Sequence, residues 1–472
     1  MNIEILNKFS IRENTKYVKE KPGKMLLTSD YTLVDPINIS SPSDWGLYSF
    51  ITGNGSDLDP YIIENIEIQG KGVKTIEEYG HTHLNYSDFG IYINAEGYFI
   101  IRNCKISSIS IGILLLFGVS ADYIHHIERV EISNCGMGIY SNWHNIALNI
   151  SKCEISNCHW VTVKAPFNFD STPIQYGGYG IWVSGAFNST IEFCRIQNCS
   201  IGLVATPLVD LISNKLINCG LSFDFSYGVP SYRFNNTVNG KPIGLFYGED
   251  NLIISGQEAS QYGQLIFIFC SELQLSNFHI TEPCSIGVII YLCDNPVLKN
   301  IVCENQKIGF FFLHTEITAD NLYAKNCDAG FYLSEIYDST LTQLLTDNTD
   351  IPIYSYTPIH DSTIEIEKST RFYIIDNLII CDELHVNSSV SSFSVFESFL
   401  TEFDNKGFLI QLNDTQTYQI ADTLPTIWVN FTIVIFQESQ PSAIPGFPLF
   451  WFYMAIISGI LSLSVHLRWK KR

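Results

Sequence analysis

Basic residues, and charged residues in general, are scarce in this chain. Only 16% of its 472 residues are charged, and 27 Lys and Arg stand against 48 Asp and Glu, so the net charge is -21. A surface of that sign repels the phosphate backbone, which argues against a nucleic-acid partner. With 46% apolar residues the chain can form a large core, so a disordered protein is excluded.

Two familiar signals are also missing. Residues 1–35 contain no apolar run of the length that a secretory signal peptide requires. The 13 cysteines form no paired CxxC motif, which argues against a zinc site, and their odd number excludes complete disulfide pairing.

A glycine followed by alternating apolar residues recurs at a spacing close to 22 residues, as in Gly90-Ile-Tyr-Ile, Gly112-Ile-Leu-Leu and Gly180-Ile-Trp-Val. Three wider gaps of about 42 residues would each hold two repeats. Strands this short, separated by Asn and Gly turns, favour stacked coils over helices. We therefore predict an all-β, right-handed, single-stranded parallel β-helix of about 12 rungs.

A cysteine, often preceded by Asn, stands three residues before many of these glycines. Asn and Gly tolerate the left-handed backbone of a sharp corner, so both are assigned to corners, and Cys is assigned to the interior. Stacked Asn side chains would form ladders of amide hydrogen bonds, and one or two disulfides between rungs remain open. The predicted structural columns contain Cys135, Cys158, Cys199, Cys219, Cys284 and Cys327, with Asn134, Asn157, Asn198 and Asn326.

The repeat and the composition divide the chain into segments. We predict a polar tail (1–30), an N-terminal cap (31–68), the β-helix (62–345), a β-rich C-terminal cap or small domain (346–436), a linker (437–448), a transmembrane helix (449–467) and a basic cytoplasmic end (468–472).

The transmembrane prediction rests on 19 residues, 449–467, that carry no formal charge and are followed by Arg468, Lys470 and Lys471. Basic flanks stay in the cytoplasm, so the β-helix should lie outside the cell membrane. The missing signal peptide leaves three alternatives: a start upstream, a cryptic signal, or a tail anchor with the β-helix in the cytosol. Ten Asn-x-Ser/Thr sequons are compatible with a surface glycoprotein.

The run from Gly53 to Ile68, the segment Val238-Asn-Gly-Lys-Pro-Ile243 and the Asn-Cys-x-x-Gly-Ile rungs resemble archaeal surface β-helix proteins of the NosD-like type. The resemblance covers roughly residues 32–345 and implies a pectin-lyase-like fold. That superfamily of carbohydrate-binding and sugar-hydrolysing β-helices includes pectate lyases, polygalacturonases and proteins with no known reaction, so the fold does not settle the function.

The tripeptide Pro445-Gly446-Phe447, before the apolar segment, resembles an archaeal sorting signal. Members of that class are cleaved and linked to lipid by a membrane transpeptidase. Retention of the apolar segment as a plain membrane helix is the alternative.

An enzymatic site is not evident. Hydrolysis needs two carboxylates that flank the glycosidic bond, and the Asp-Asp, His-Gly and Arg-Ile-Lys motifs of polygalacturonases are absent. Arg129 beside Glu128 and Glu131 is the nearest approach to the calcium and arginine arrangement of pectate lyases, with a solvated charged corner as the alternative.

Histidines are weak candidates for a copper or zinc site, because imidazole is a common ligand of both metals. The candidates are His81, His83, His125 and His126, and ordinary surface or corner positions are the alternative.

The insertion at residues 164–179 combines aromatic rings with amide and carboxylate groups, which suit the apolar faces and the hydroxyls of sugars. We predict a glycan-binding patch of Trp143, Phe167, Phe169, Asp170, Tyr176 and Tyr179. The alternative is that these rings only pack the loop onto the rung below.

These features favour a membrane-anchored cell-surface β-helix that binds glycans or other surface components without catalysis. A polysaccharide lyase or hydrolase, a copper-handling accessory protein and an inert stalk are the alternatives. No cofactor is predicted, and calcium is left open as a ligand.

Overall fold

The computed structural model describes residues 31–78, 81–84, 87–116, 123–142, 146–159, 178–184, 188–206, 209–223 and 233–347. It also describes Thr349 and the backbone of eight strands between Ile351 and Phe436.

Three parallel sheets surround the core of the first half. The first sheet contains Thr32–Leu33, Ile66–Gln69, Lys105–Ser107, Glu131–Ser133, Glu154–Ser156, Arg195–Gln197, Lys215–Ile217 and Thr237–Val238. The second contains Ile37–Ile39, Phe89–Ile93, Ile111–Leu115, Met137–Asn142, Tyr179–Ser184, Ile201–Ala205 and Leu221–Phe223. The third contains Tyr61–Glu64, Phe99–Arg102, Ile124–Glu128, Ala147–Ser151, Ser189–Glu192, Val209–Ile212 and Arg233–Phe234.

Three small elements decorate these sheets. A 3-10 helix spans Pro42–Leu47, an antiparallel hairpin joins Thr75–Glu78 to His81–Leu84, and a short α-helix spans Gly256–Ala259.

A tight turn at Asn239 and Gly240 divides the two halves of the solenoid. Both residues have positive φ, 50° and 81°, as a two-residue hairpin requires. The turn makes Lys241–Tyr247 antiparallel to Thr237–Val238, after which parallel stacking resumes.

The second half is built mainly on two series of longer strands. One series contains Lys241–Tyr247, Gln264–Ile268, Cys284–Tyr291, Gln306–Thr315, Ala329–Ile336 and Ile351–Ser355. The other contains Ile253–Ser255, Gln274–Ile280, Val297–Glu304, Thr318–Lys325, Thr340–Asp347, Thr363–Glu367 and Glu383–Asn387. Further parallel pairs join Arg371–Ile375, Ser392–Phe396 and Tyr418–Ile420, and join Phe408–Asn413 to Phe431–Phe436. Parallel pairing therefore extends past residue 345.

The glycines of the repeat do not form corners, so that part of the sequence interpretation is wrong. Gly90, Gly112, Gly138 and Gly180 lie within strands of the second sheet, and none has a positive φ. A Cβ on Gly112 would lie 2.6 Å from the Gly138 oxygen and 2.8 Å from Ile132 Cγ2. Because they lack a Cβ, the glycines allow adjacent rungs and adjacent sheets to approach each other closely.

Asn residues do occupy corners. Asn134, Asn157 and Asn198 have φ values of 54°, 55° and 52°. The Nδ2 atom of Asn157 donates to Asn134 Oδ1 at 3.3 Å, and Asn198 Nδ2 donates to Asn157 Oδ1 at 3.3 Å. At a further corner, Asn326 has φ 51° and donates to Asn305 at 3.3 Å. The same Asn residues therefore turn the backbone at the corners and form the ladders of amide hydrogen bonds.

The cysteines of the described residues are all buried free thiols. They number 12, including the six that the repeat assigns to columns. Burial raises the pKa of Cys104 and of Cys284 to about 12, because it disfavours the thiolate. These cysteines act as small apolar core residues.

The wide gap between Gly138 and Gly180 contains fewer coils than the repeat spacing predicted. The strands around these two glycines pair directly, with Ile139 opposite Ile181, so the gap holds one coil plus an insertion.

Candidate functional site

The predicted glycan patch lies almost wholly outside the described residues, where Trp143, Phe167, Phe169, Asp170 and Tyr176 fall. Tyr179 is described, at the start of Tyr179–Ser184. Its side chain is fully buried, and its ring centroid lies 4.6 Å from that of Trp182. A buried ring offers no face to a sugar, so Tyr179 has a packing role.

The histidines with metal-binding potential have separate surroundings. His125 is buried, stacks on Phe99 with centroids 4.2 Å apart, and accepts a hydrogen bond at Nδ1 from the Phe99 amide at 3.3 Å. His126 is partly exposed. His81 and His83 lie on the second hairpin strand, and their side chains are outside the described set. Within the described residues, no group of three or more His, Cys, Asp or Glu could hold a metal ion.

Arg129 belongs to a network of surface ion pairs. It occupies a corner with φ 53°, donates to Glu128 at 2.7 Å, and donates from Nε to Asn103 Oδ1 at 2.9 Å. Glu131 faces Lys105 instead, at 3.5 Å. These contacts agree with the solvated charged corner, because the guanidinium is already paired.

A row of aromatic side chains follows one corner of the second half, at neighbouring positions of the strand register. It contains Tyr247, Phe269, Tyr291, His314 and Tyr337, from five successive rungs, and is called the aromatic edge. Tyr247 and Tyr291 share one position, Phe269 and His314 stand one residue later, and Tyr337 stands three residues later. Consecutive ring centroids from Tyr247 to His314 lie 5.7, 6.1 and 5.9 Å apart. Because neighbouring rungs are about 4.8 Å apart, the edge is about 19 Å long.

The local backbone explains why two of these rings, those of Phe269 and His314, face outward. Phe269 and His314 have φ values of 54° and 50°, in the left-handed region that turns the chain at the end of a strand. The next residue in each rung, such as Cys270 or Thr315, is buried in the core. A positive φ is uncommon for a bulky residue such as Phe, and backbone of this kind is concentrated at functional sites.

Three of the rings are accessible to a ligand. Tyr247 is 42% exposed, Phe269 is 39% exposed and Tyr337 is 38% exposed, whereas Tyr291 is 8% exposed and packs between neighbours. The planes of Tyr247 and Phe269 meet at 81°, so the edge is a stepped apolar surface.

Carboxylates flank the aromatic edge across the corner. Asp250, Ser271 and Asp294 form a parallel ladder of backbone bridges in three successive rungs, and the Ser271 hydroxyl donates to Asp250. Glu335 pairs with His314. The corner segments of the five rungs are residues 247–253, 268–274, 291–297, 313–319 and 334–340. Their carboxylates are Glu249, Asp250, Glu272, Asp294, Glu316, Glu335 and Asp338.

The negative charge near the edge affects the pKa values of its tyrosines. Burial raises the pKa of Tyr337, and the charge and hydrogen bond of Glu335 raise it further. Burial and the Glu335 charge also raise the pKa of Tyr291. Both effects disfavour a phenolate at this corner.

Sequence reasoning missed this edge, although a signal for it exists. Tyr247, Phe269, Tyr291 and His314 follow one another at the same interval of about 22 residues as the glycines. Rings at that interval lie on one side of the solenoid.

A smaller aromatic group lies near the N-terminal end of the solenoid. The rings of Tyr98 and Tyr123 stack with centroids 5.4 Å apart and an interplanar angle of 17°. His126 adjoins Tyr98 at 6.2 Å. This group spans two rungs, which gives it a much shorter surface than the aromatic edge.

The segments predicted to attach the chain to a membrane fall beyond the described residues. These are 449–467 and the tripeptide Pro445-Gly446-Phe447. Among the described helices, none has the length and apolar character to cross a bilayer.

One comparison with known proteins, the family match, agrees with the fold. Residues 89–259 match the family model of the right handed beta helix region. No curated protein matches the sequence. Among solved structures, the chain is similar to the crystal structure of the Agl-KA catalytic domain, at 12% identity and a TM-score of 0.21.

That alignment covers 85% of this chain and 61% of the other, so this chain spans less than two thirds of that structure's length. A similarity this weak carries no argument about activity. The family match, the three parallel sheets and the stacked interior columns agree with one another. Residues 89–259 are therefore similar to the right-handed β-helix family, and in the described residues on either side the parallel ladders continue.

Proposed function

We propose that this chain is a membrane-anchored surface β-helix protein that binds glycans along the aromatic edge. The observation that carries the proposal is the line of aromatic side chains from five successive rungs, three of them well exposed.

The chemistry of the edge suits a polysaccharide. The exposed faces of Tyr247 and Phe269 can stack on the apolar faces of sugar rings, as aromatic side chains combine a large apolar surface with few rotatable bonds. Asp250 and Asp294 can accept hydrogen bonds from sugar hydroxyls. Because these side chains are attached to hydrogen-bonded ladders, a linear ligand would meet a preorganised surface.

The placement of the carboxylates favours binding over hydrolysis. A glycosidase needs two carboxyl groups on either side of the scissile bond. Asp250 and Asp294 instead lie in one column on the same side of the rings. A lyase of the pectate type also uses an arginine, and none occurs between Tyr247 and Tyr337.

The surface location rests on the sequence. The uncharged segment 449–467 has the length of a membrane span, and the basic residues after it favour a cytoplasmic C-terminus. In that arrangement the solenoid stands outside the membrane.

Binding to a glycan panel tests this proposal. The full chain would be purified in a detergent without a sugar headgroup and applied to immobilised neutral, amino-sugar and uronic-acid polysaccharides. We expect binding to at least one class. Tyr247→Ala with Phe269→Ala should weaken it about thirtyfold or more, because the truncation of a binding hot spot costs at least about 2 kcal/mol.

Phe193→Ala is the matched control. Phe193 has the same φ as Phe269, 54°, and is 49% exposed, but it lies at a different corner. Failure of the wild-type chain to bind any glycan, or an equal loss in the control, would refute the proposal.

A further inference from the structure

The charge around the aromatic edge has one sign. The five corner segments, 247–253, 268–274, 291–297, 313–319 and 334–340, carry seven carboxylates and contain no Lys or Arg. Six of the seven carboxylate side chains are exposed, and Glu335 is half-buried. A ligand that follows the rings therefore passes a row of negative charges.

Basic residues nearby do not neutralise this row. Lys299, Lys307 and Lys325 all pair with other acids, namely Asp320 at 3.7 Å, Asp328 at 2.9 Å and Glu304 at 2.9 Å. The residues of these ion pairs all lie outside the five corner segments.

Most of the edge carboxylates have no cationic partner in the part of the chain that the structure describes. Within the described residues, Glu249, Glu272, Asp294 and Glu316 take part in no ion pair. Asp250 accepts a hydrogen bond from Ser271, and Glu335 alone pairs with a histidine. The negative potential of the row is thus available to a ligand.

We infer that the ligand of the aromatic edge is a cationic polysaccharide, an amino-sugar polymer whose ammonium groups face the carboxylates while its rings lie on Tyr247 and Phe269. The inference rests on the proposed function and names its substrate class.

Two physical effects favour such a ligand over an acidic one. Each exposed ion pair contributes little by itself, but carboxylates on successive rungs act on every repeat of a charged polymer. An ammonium group near an aromatic face gains a further cation–π attraction. A polyuronate would meet repulsion at each of the same positions.

The test compares three soluble probes on the full chain in detergent without sugar headgroups. They are β-1,4-linked glucosamine oligomers with the amines protonated, N-acetylglucosamine oligomers of the same length and linkage, and oligogalacturonate with and without calcium. We expect the glucosamine oligomers to bind about tenfold or more tightly than the N-acetylated ones, a difference of about 1.4 kcal/mol. Oligogalacturonate should bind most weakly. The preference should shrink as salt rises from about 0.01 M to about 1 M, since the Debye length then falls from about 30 Å to about 3 Å.

Substitution of edge carboxylates by amides tests whether these carboxylates cause the preference for the amine. Asp250→Asn, Glu272→Gln and Asp294→Asn together should reduce the preference for the amine to about twofold or less. Binding of the N-acetylated oligomers should remain. The control, with the same change in net charge, is Glu96→Gln, Glu154→Gln and Glu258→Gln, three exposed carboxylates outside the edge segments.

The outcomes separate the inference from the proposed function. Equal affinity for the amine and the N-acetylated form, tighter binding of oligogalacturonate, or an equal loss of preference in the control set overturns the inference but leaves glycan binding intact. Failure to bind any glycan overturns both. Polylysine is added as a fourth probe. If it binds more tightly than the amino sugar, through the carboxylates but without need of Tyr247 and Phe269, the partner is a basic protein and both are overturned.

Discussion

In the second sheet, successive coils contain a position at which even a methyl group is too large. Gly112 faces the backbone of Gly138 in the next rung and the side chain of Ile132 across the core. The same contact recurs from Gly90 to Gly180. The column of glycines therefore sets how closely two sheets and two coils approach.

Gly112→Ala should destabilise the protein by about 1–3 kcal/mol, because the added Cβ overpacks a rigid core. Thermal unfolding of the full chain followed by near-UV circular dichroism would measure the loss.

Gly46→Ala is the control for that change, since a Cβ there would have no neighbour within 4 Å. Equal melting temperatures for the Gly112 variant and the wild type would contradict the close-approach account.

The periodic glycines were visible in the sequence, but their role was not. Glycine serves both left-handed turns and close backbone contact, and the two uses look alike in a sequence. The Asn positions were less ambiguous, because Asn has a side chain and is favoured at turns chiefly for its tolerance of a positive φ. The amide contacts between Asn134, Asn157 and Asn198 are consistent with that reasoning.

Among the elements, the antiparallel hairpin is joined to the solenoid by a small polar group. Asp88 pairs with Lys74 and accepts hydrogen bonds from the amide and hydroxyl of Ser110 at 3.1 and 2.8 Å. Ser110 in turn receives a hydrogen bond from the Lys74 amide at 2.9 Å. The two ends of the insertion are thereby held to one rung.

This group makes a pH-dependent contribution to stability. Burial opposes ionisation of Asp88, but the hydrogen bonds from Lys74 and Ser110 outweigh it and hold the pKa of Asp88 below 3.8. A lowered pKa contributes stability that is complete above 3.8 and is lost as the pH falls through the folded-state value. Asp88→Asn should therefore be less stable than the wild type at neutral pH, and the difference should narrow below pH 3.8.

Urea unfolding across that pH range checks the expectation. Asp59→Asn is the control, because the Asp59 side chain is exposed and makes no hydrogen bond or ion pair with the described residues. A stability difference for Asp88→Asn that stays constant with pH would contradict this account.

Insertions were harder to place from sequence than rungs. A gap of two repeat lengths between Gly138 and Gly180 is compatible with two coils or with one coil and a loop. Pairing of Ile139 with Ile181 shows the second arrangement. Hydrophobic alternation alone could not distinguish the two, because both contain short apolar segments.

Across the whole molecule, the solenoid arranges one side chain per coil along a line. The fold was predictable because a repeat of about 22 residues corresponds to one coil, and stacked coils form a solenoid. The aromatic edge was not predicted, because its rings are dispersed one per rung among apolar residues, whereas the rings of the predicted glycan patch are concentrated in and near one insertion. Exposure separates the two groups: Tyr179 is fully buried, whereas Tyr247 and Phe269 are well exposed.

The central claim is that a linear glycan lies along the aromatic edge, and the dependence of affinity on ligand length tests it most directly. The full chain would be titrated calorimetrically with glucosamine oligomers from the disaccharide upward. The account predicts that affinity rises with each added sugar until the ligand spans the edge, about 19 Å, and then levels off. A disaccharide that binds as tightly as the longest oligomer would contradict it.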